Sequence, residues 1–243
     1  MGQLDGKIAI ITGAGTGIGK GIARGFAREG ASLVVASRNR NNLDATADEL
    51  RTQGATVVVI PTDVTVEAQV VALFDQTMQQ LGRLDILVNN SGVFDGGPLD
   101  ELSLETWQHV LNVNLTGVFL CTREAMKIMK RQRSGRIINI GSISAQMPRI
   151  DSAPYATSKH GLVGLTRATA LEGREFGVSA SCLHPGNVAT ERMQSTDAPI
   201  GQEPMMTPDD LAMAAVMMAA MPPYANMLES IVLPVGQLYL GRG

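Results

Sequence analysis

Two side chains in the stretch "SAPYATSKHG" (152–161) can do chemistry together: Tyr155 and Lys159, four residues apart and so on one face of a helix. A phenol is a poor acid or base at neutral pH, since tyrosine ionises at about pH 10. An ammonium one turn away favours the phenolate. Pro154 suits the first helical position, and Ser152 or Asp151 can cap the helix, so Tyr155 falls in the first turn. There the helix dipole also favours negative charge. The chemistry so prepared is proton transfer to or from an oxygen. With three tyrosines and five lysines in the chain, the spacing alone is a modest coincidence. The elements around it must decide.

Apolar runs of four to seven residues alternate with longer amphipathic stretches along all 243 residues. Strand candidates are 7–12, 32–37, 56–61, 85–90, 136–142, 178–184 and 230–235. Their unbroken apolar character suits strands covered on both faces. Helix candidates lie between them at 17–29, 41–53, 66–81, 103–133, 153–176 and 207–221. The alternation predicts an α/β fold with a doubly wound parallel sheet of about seven strands and helices on both faces. No repeat, low-complexity tract or linker divides the chain, so residues 1–243 read as a single domain.

In open parallel sheets ligands bind beyond the carboxyl ends of the strands, so unusual residues should gather there. After the first strand comes "TGAGTGIG" (12–19), with Gly13, Gly15, Thr16, Gly17, Ile18 and Gly19 as candidate cofactor contacts. Glycines allow a tight turn and a close backbone approach to a pyrophosphate, which the next helix N-terminus stabilises. The second strand ends at Ser37-Arg38, where an acid would hydrogen-bond an adenosine ribose and repel a 2′-phosphate. Arg38 instead offers a fork suited to phosphate, which favours NADP(H) over NAD(H). The bland alternative is a solvated arginine in a basic loop with Arg40. The third strand ends in Asp63-Val64, either beside the adenine or at the cap of the next helix. Asn90, Ser91 and Gly92 follow the fourth strand and can floor the site. The fifth ends at Ser142, and the sixth at "HPGNVAT" (184–190), with Pro185, Gly186 and Val188.

In this order "TGAGTGIG", "NNSG", "NVNLTGVFL", "IGSIS", "YATSK" and "HPGNVAT" resemble the short-chain dehydrogenase/reductase family, over nearly the whole chain. The resemblance implies a single Rossmann-type catalytic domain that interconverts carbonyls and secondary alcohols with NAD(P). It implies that Tyr155 is the general acid/base, that Lys159 holds the nicotinamide ribose and tunes the tyrosine, and that Ser142 hydrogen-bonds the substrate oxygen. Asn114 would anchor a water-linked proton relay through the lysine. Hydride transfer to a carbonyl builds negative charge on oxygen, which needs donors and then a proton. The resemblance further implies a substrate-covering segment at 188–207 and a homodimer or homotetramer. Two departures stand out. Ser91 replaces the family's usual alanine, and the end "ESIVLPVGQLYLGRG" lacks the usual aspartate and paired glycines. A 3-oxoacyl-thioester reductase and a non-catalytic dinucleotide sensor are the alternatives. Retention of Ser142, Tyr155 and Lys159 argues against the sensor.

Composition narrows the rest. A net charge of −3 gives no electrostatic case for nucleic acid or an anionic membrane. Cys121 and Cys182 fall in apolar runs, which fits a reducing compartment. No signal-peptide pattern is read at "MGQLDGKIAIITG", and the longest apolar run, 211–221, is too short to span a bilayer, so a cytoplasmic location is expected. His109 and His184 lack metal-ligand spacing, so no metal is expected, and His160 reads as a surface or packing residue. The methionines are core filler, except that Met193, Met205 and Met206 fall on the covering segment. The basic "KIMKRQR" (127–133) suits a helix C-terminus.

Overall fold

The structure is a computed structural model that describes residues 2–191 and 203–239. Seven parallel strands form one sheet in the order β3-β2-β1-β4-β5-β6-β7. They are β1 (Ile8–Thr12), β2 (Ser32–Ser37), β3 (Val57–Pro61), β4 (Ile86–Asn89), β5 (Gly135–Ile140), β6 (Val178–Pro185) and β7 (Glu229–Val232). The helices are α1 (Gly17–Arg28), α2 (Arg40–Thr52), α3 (Glu67–Leu81), α4 (Leu104–Leu111), α5 (Gly117–Gln132), α6 (Ala153–Gly173) and α7 (Pro208–Ala220). The order reverses between β1 and β4, so a crevice opens where their two connections diverge.

The doubly apolar strands divide into two cores because successive side chains face opposite ways. Ala9, Ile11, Leu33, Val35, Ile86, Val88, Ile138 and Ile140 pack with residues of α1, α2 and α7. Ile10, Val34, Leu87 and Ile137 face the other side, against α3 and α5. Phe26 of α1 is fully buried, and such burial stabilises by about 3 kcal/mol at most. Arg24 ties this layer together at its rim, pairing with Glu49 of α2 and Asp209 of α7. The start of the sheet is locked by Asp85. It accepts from the Ile8 amide at 3.0 Å and from Arg83 at 3.0 and 2.6 Å.

Three expectations need correction and one a refinement. The helix expected over 103–133 is helical without a break over 104–132, but its two parts, α4 and α5, join through a π-helical turn, Asn112–Thr116. Such turns widen a helix and recur at functional sites, and this one contains Asn114. The fifth strand ends at Ile140, not at Ser142, which instead caps a 3₁₀ turn, Ile143–Ala145. Helix α6 begins at Ala153, so Pro154 is its second residue; Ser152 occupies the cap position, but its hydroxyl bonds the Arg149 backbone. The seventh strand covers 229–232 rather than 230–235, with Pro234 unable to donate to a ladder. Among the described residues no helix is long and apolar enough to cross a membrane.

Candidate active site

The carboxyl ends of β1 and β4 are laced together by short side chains. The Thr12 hydroxyl accepts from the amides of Asn90 and Ser91 at 3.0 and 3.1 Å. Asn90 Nδ2 returns bonds to the carbonyls of Thr12 and Gly13, both at 3.1 Å. This knot fixes the glycine loop, whose chain turns at Gly13 with a φ of 65°. A Cβ at Gly19 would collide with the Gly13 carbonyl, so only glycine lets α1 start this close to the strand. The N-terminus of α1 then presents its free amides, and the Gly17 N–H donates to a carboxylate oxygen of Glu191 at 2.9 Å. An anionic group thus already stands at this helix end.

Two clefts flank the knot and share Gly13, Ser91, Gly92 and Val93 as a wall. The smaller, about 130 Å³, is lined by Ser37, Arg38, Asp63 and Val64. Asp63 accepts from the Thr65 amide and hydroxyl at 2.9 and 2.7 Å. Burial works to raise its pKa, but the two Thr65 donors and then Arg38 outweigh it and hold Asp63 below the usual carboxylate range. Asp63 therefore faces the cleft and also orders the turn before α3, whose cap position is Val66.

The larger cleft, about 290 Å³, is bounded by Thr16, Gly17, Ile18, Asn90, Tyr155, Lys159 and Pro185. Lys159 is buried, and its ammonium donates to the Ile140 carbonyl at 2.8 Å. Among the described residues it has no ion pair. A buried ammonium with further protons to donate calls for oxygen acceptors in the cleft beside it. It lies 5.6 Å from the centre of the Tyr155 ring, which packs at 5.0 Å against Phe94. Asn114, fully buried, accepts from the Val93 amide at 2.8 Å and donates to the Val93 carbonyl and the Ser158 hydroxyl at 2.9 and 3.2 Å. Its side chain thus clamps the cleft wall to α6. Ser142 is buried, and its hydroxyl accepts from the Ser144 amide at 3.1 Å.

Most of the expected residues meet here, with differences. Gly15 faces α2 and Ser37 rather than either cleft. Of Pro185, Gly186 and Val188 at the end of β6, Pro185 lines the cleft, whereas Val188 is buried against Met206 and Gly186 bonds Val232. The covering segment at 188–207 is described at its two ends; residues 192–202, including Met193, lie outside the described residues. His160 bonds its own helix at Ala156, away from the cleft. Thr190, Glu191, Phe94 and Gly141 line the cleft without having been singled out. Gly141 and Thr190 fall inside the "IGSIS" and "HPGNVAT" motifs and Thr190 and Glu191 inside the expected covering segment, whereas no motif marks Phe94; a segment returning over α1 brings Thr190 and Glu191 to the cleft. A further cleft of about 240 Å³ opens at the amino ends of the strands beside Lys7, Asp85 and Arg136. It is on the wrong side of the sheet for the chemistry above. Among the described residues no group of three His, Cys, Asp or Glu side chains could hold a metal.

The glycine loop, the anion-receptive helix end and the buried ammonium together fit a dinucleotide laid across both clefts. Comparison with known proteins places the chain among oxidoreductases. Residues 7–200 match the family model described as short chain dehydrogenase. The chain is 35% identical to the uncharacterized oxidoreductase YxjF of Bacillus subtilis (strain 168), over 94% of this chain and 83% of that protein. It is 36% identical to a 3-oxoacyl-[acyl-carrier-protein] reductase of Synechocystis sp., over 82% and 81% of the two chains. A solved structure of a putative gluconate dehydrogenase from Agrobacterium tumefaciens superposes with a TM-score of 0.89 at 33% identity, covering 94% of this chain and 95% of that one.

Proposed function

Since the chain belongs to the short-chain dehydrogenase/reductase family of oxidoreductases, we propose that it is an NADP(H)-dependent enzyme interconverting a small-molecule carbonyl and its secondary alcohol. The observation that carries this is the buried Lys159 ammonium, bonded to the Ile140 carbonyl and standing beside Tyr155 in the cleft that adjoins the glycine loop. The nicotinamide, when bound, supplies or accepts the hydride. The rest is done by this chain. Tyr155 gives a proton to the substrate oxygen in reduction and takes it back in oxidation. The Ser142 hydroxyl, with a lone pair occupied by the Ser144 amide, keeps its proton for that same oxygen. Lys159 binds ribose hydroxyls and faces the phenol with its positive charge. Asn114 holds Val93 and Ser158, and a water-linked relay from the widened π turn would return protons to Lys159.

Arg38 on the wall of the smaller cleft supports NADP(H). Asp63 shares that wall, with its Oδ1 engaged by Thr65. Wild-type protein should bind NADPH more tightly than NADH, and Arg38→Asp should reverse the order; equal affinities in the wild type would refute the preference. Tyr155→Phe should keep NADPH binding and lower turnover at least a hundredfold, about 3 kcal/mol in barrier. Near-normal turnover would demand another acid. The Synechocystis relative is named for 3-oxoacyl-carrier-protein reduction, so acetoacetyl thioesters belong in the substrate panel beside simple ketones and sugars.

A further inference from the structure

We propose that His184 is a positioning residue for the reaction: reaching across from β6, it grips the backbone of Ser142 and so aims that hydroxyl at the reacting oxygen. This rests on the role proposed above for Ser142. The need for a grip comes from the sheet. Strand β5 ends at Ile140, and one last ladder bond follows, from the Gly141 amide to the Leu183 carbonyl at 2.7 Å. Ser142 lies beyond the ladder, so its backbone finds partners of another kind: its carbonyl accepts from the Ala145 amide of the 3₁₀ turn at 3.0 Å and has a second lone pair to fill, and its amide has no ladder acceptor. His184 Nδ1 stands 2.9 Å from the Ser142 carbonyl and 3.3 Å from the Ser142 amide nitrogen. The shorter contact is made by an imidazole carrying its proton on Nδ1 and donating it to the carbonyl.

Two further observations make this more than packing. The imidazole is fully buried, and its Nε2 is a buried atom without a hydrogen-bond partner. Leaving such an atom unpaired is costly, and a residue that only filled this volume would do so better as leucine or phenylalanine. The neighbouring backbone is also shaped for the ring. A Cβ on Gly141 would stand 2.6 Å from His184 Nδ1 and 2.8 Å from Cys182 Sγ, so the imidazole lies against a chain that must be glycine there. Burial pushes the His184 pKa down, with Lys159 adding to the effect and the Ser142 carbonyl and Glu229 opposing it. The ring is therefore neutral at pH 7 and keeps the single Nδ1 proton that the grip uses. The Ser142 hydroxyl, anchored by the Ser144 amide on one side, is then held from both ends of its residue.

The test is a double-mutant cycle on the intact protein, with NADPH affinity by fluorescence and turnover on the best carbonyl substrate of the panel. His184→Leu should lower kcat at least tenfold with NADPH affinity within twofold of wild type. His184→Asn, whose amide nitrogen takes the place of Nδ1, should keep most of the turnover, whereas His184→Gln, which reaches only the Nε2 position, should behave like leucine. In a Ser142→Ala background, His184→Leu should cost nothing further. Amide exchange at Ser142–Ala145 should quicken in the leucine and glutamine variants and not in the asparagine variant, a readout independent of activity. Equal losses from His184→Leu with and without Ser142, or asparagine as damaging as leucine, would overturn the proposal. Full turnover in Ser142→Ala alone would instead overturn the role of Ser142, and the grip with it.

Discussion

Glu191 offers the sharpest test of where an anionic cofactor group binds. Its carboxylate accepts from the Gly17 amide at the start of α1, at 2.9 Å. A diphosphate seated on that helix end must displace it. A hydrogen bond to a charged acceptor contributes about 1.5–3 kcal/mol, and a charge at a helix N-terminus about 0.3–1 kcal/mol. Glu191 is exposed, so screening by salt brings the sum down to about 1 kcal/mol. Removing the competitor in Glu191→Ala should therefore tighten NADPH binding about fivefold, since 1.4 kcal/mol is a factor of ten. Fluorescence titration at low and high salt provides the assay, and the gain should shrink as salt rises. Adenosine 2′-phosphate, which lacks the diphosphate, should bind both proteins alike. Unchanged or weaker NADPH binding in Glu191→Ala would refute the reasoning, and equal gains for both ligands would move the competition away from α1.

Asp85→Ala strips the Ile8 amide and Arg83 of their acceptor inside the sheet, and should cost about 3 kcal/mol in urea unfolding; under 1 kcal/mol would mean that water replaces the carboxylate. Folded stability should fall as pH drops below about 6.5, because burial holds His184 below its ordinary value of 6.5 while an unfolded chain takes up the proton. The contribution is fully present above that pH and is lost toward the depressed folded pKa; urea midpoints from pH 7.5 to 5.5 should fall less steeply in His184→Asn, and parallel slopes would contradict this. Burial pushes the thiols of Cys121 and Cys182 up to about 12 and about 11, so a thiol reagent at pH 8 should find neither in the native protein and both after denaturation.

The sequence by itself determined the layering, the alternation of strands and helices, the glycine loop after the first strand and the Tyr155–Lys159 pair. These depend on local rules: apolar runs for doubly covered strands, glycine where backbone must turn, and four-residue spacing on a helix face. What it misjudged also has a local cause. The pattern over 103–133 is helical on both sides of Asn114, and one extra residue in a turn leaves no mark on periodicity. Ser142 reads as the end of an apolar run, although the chain leaves the sheet two residues earlier and caps a 3₁₀ turn. Only the tertiary structure decided that Glu191 returns to α1, that Val188 faces the core, and that His184 lies against Ser142. Those contacts join residues 174, 18 and 42 positions apart in sequence. Each depends on which strands adjoin and where a loop doubles back, and hydrophobic pattern, which specifies faces, carries no record of such partners.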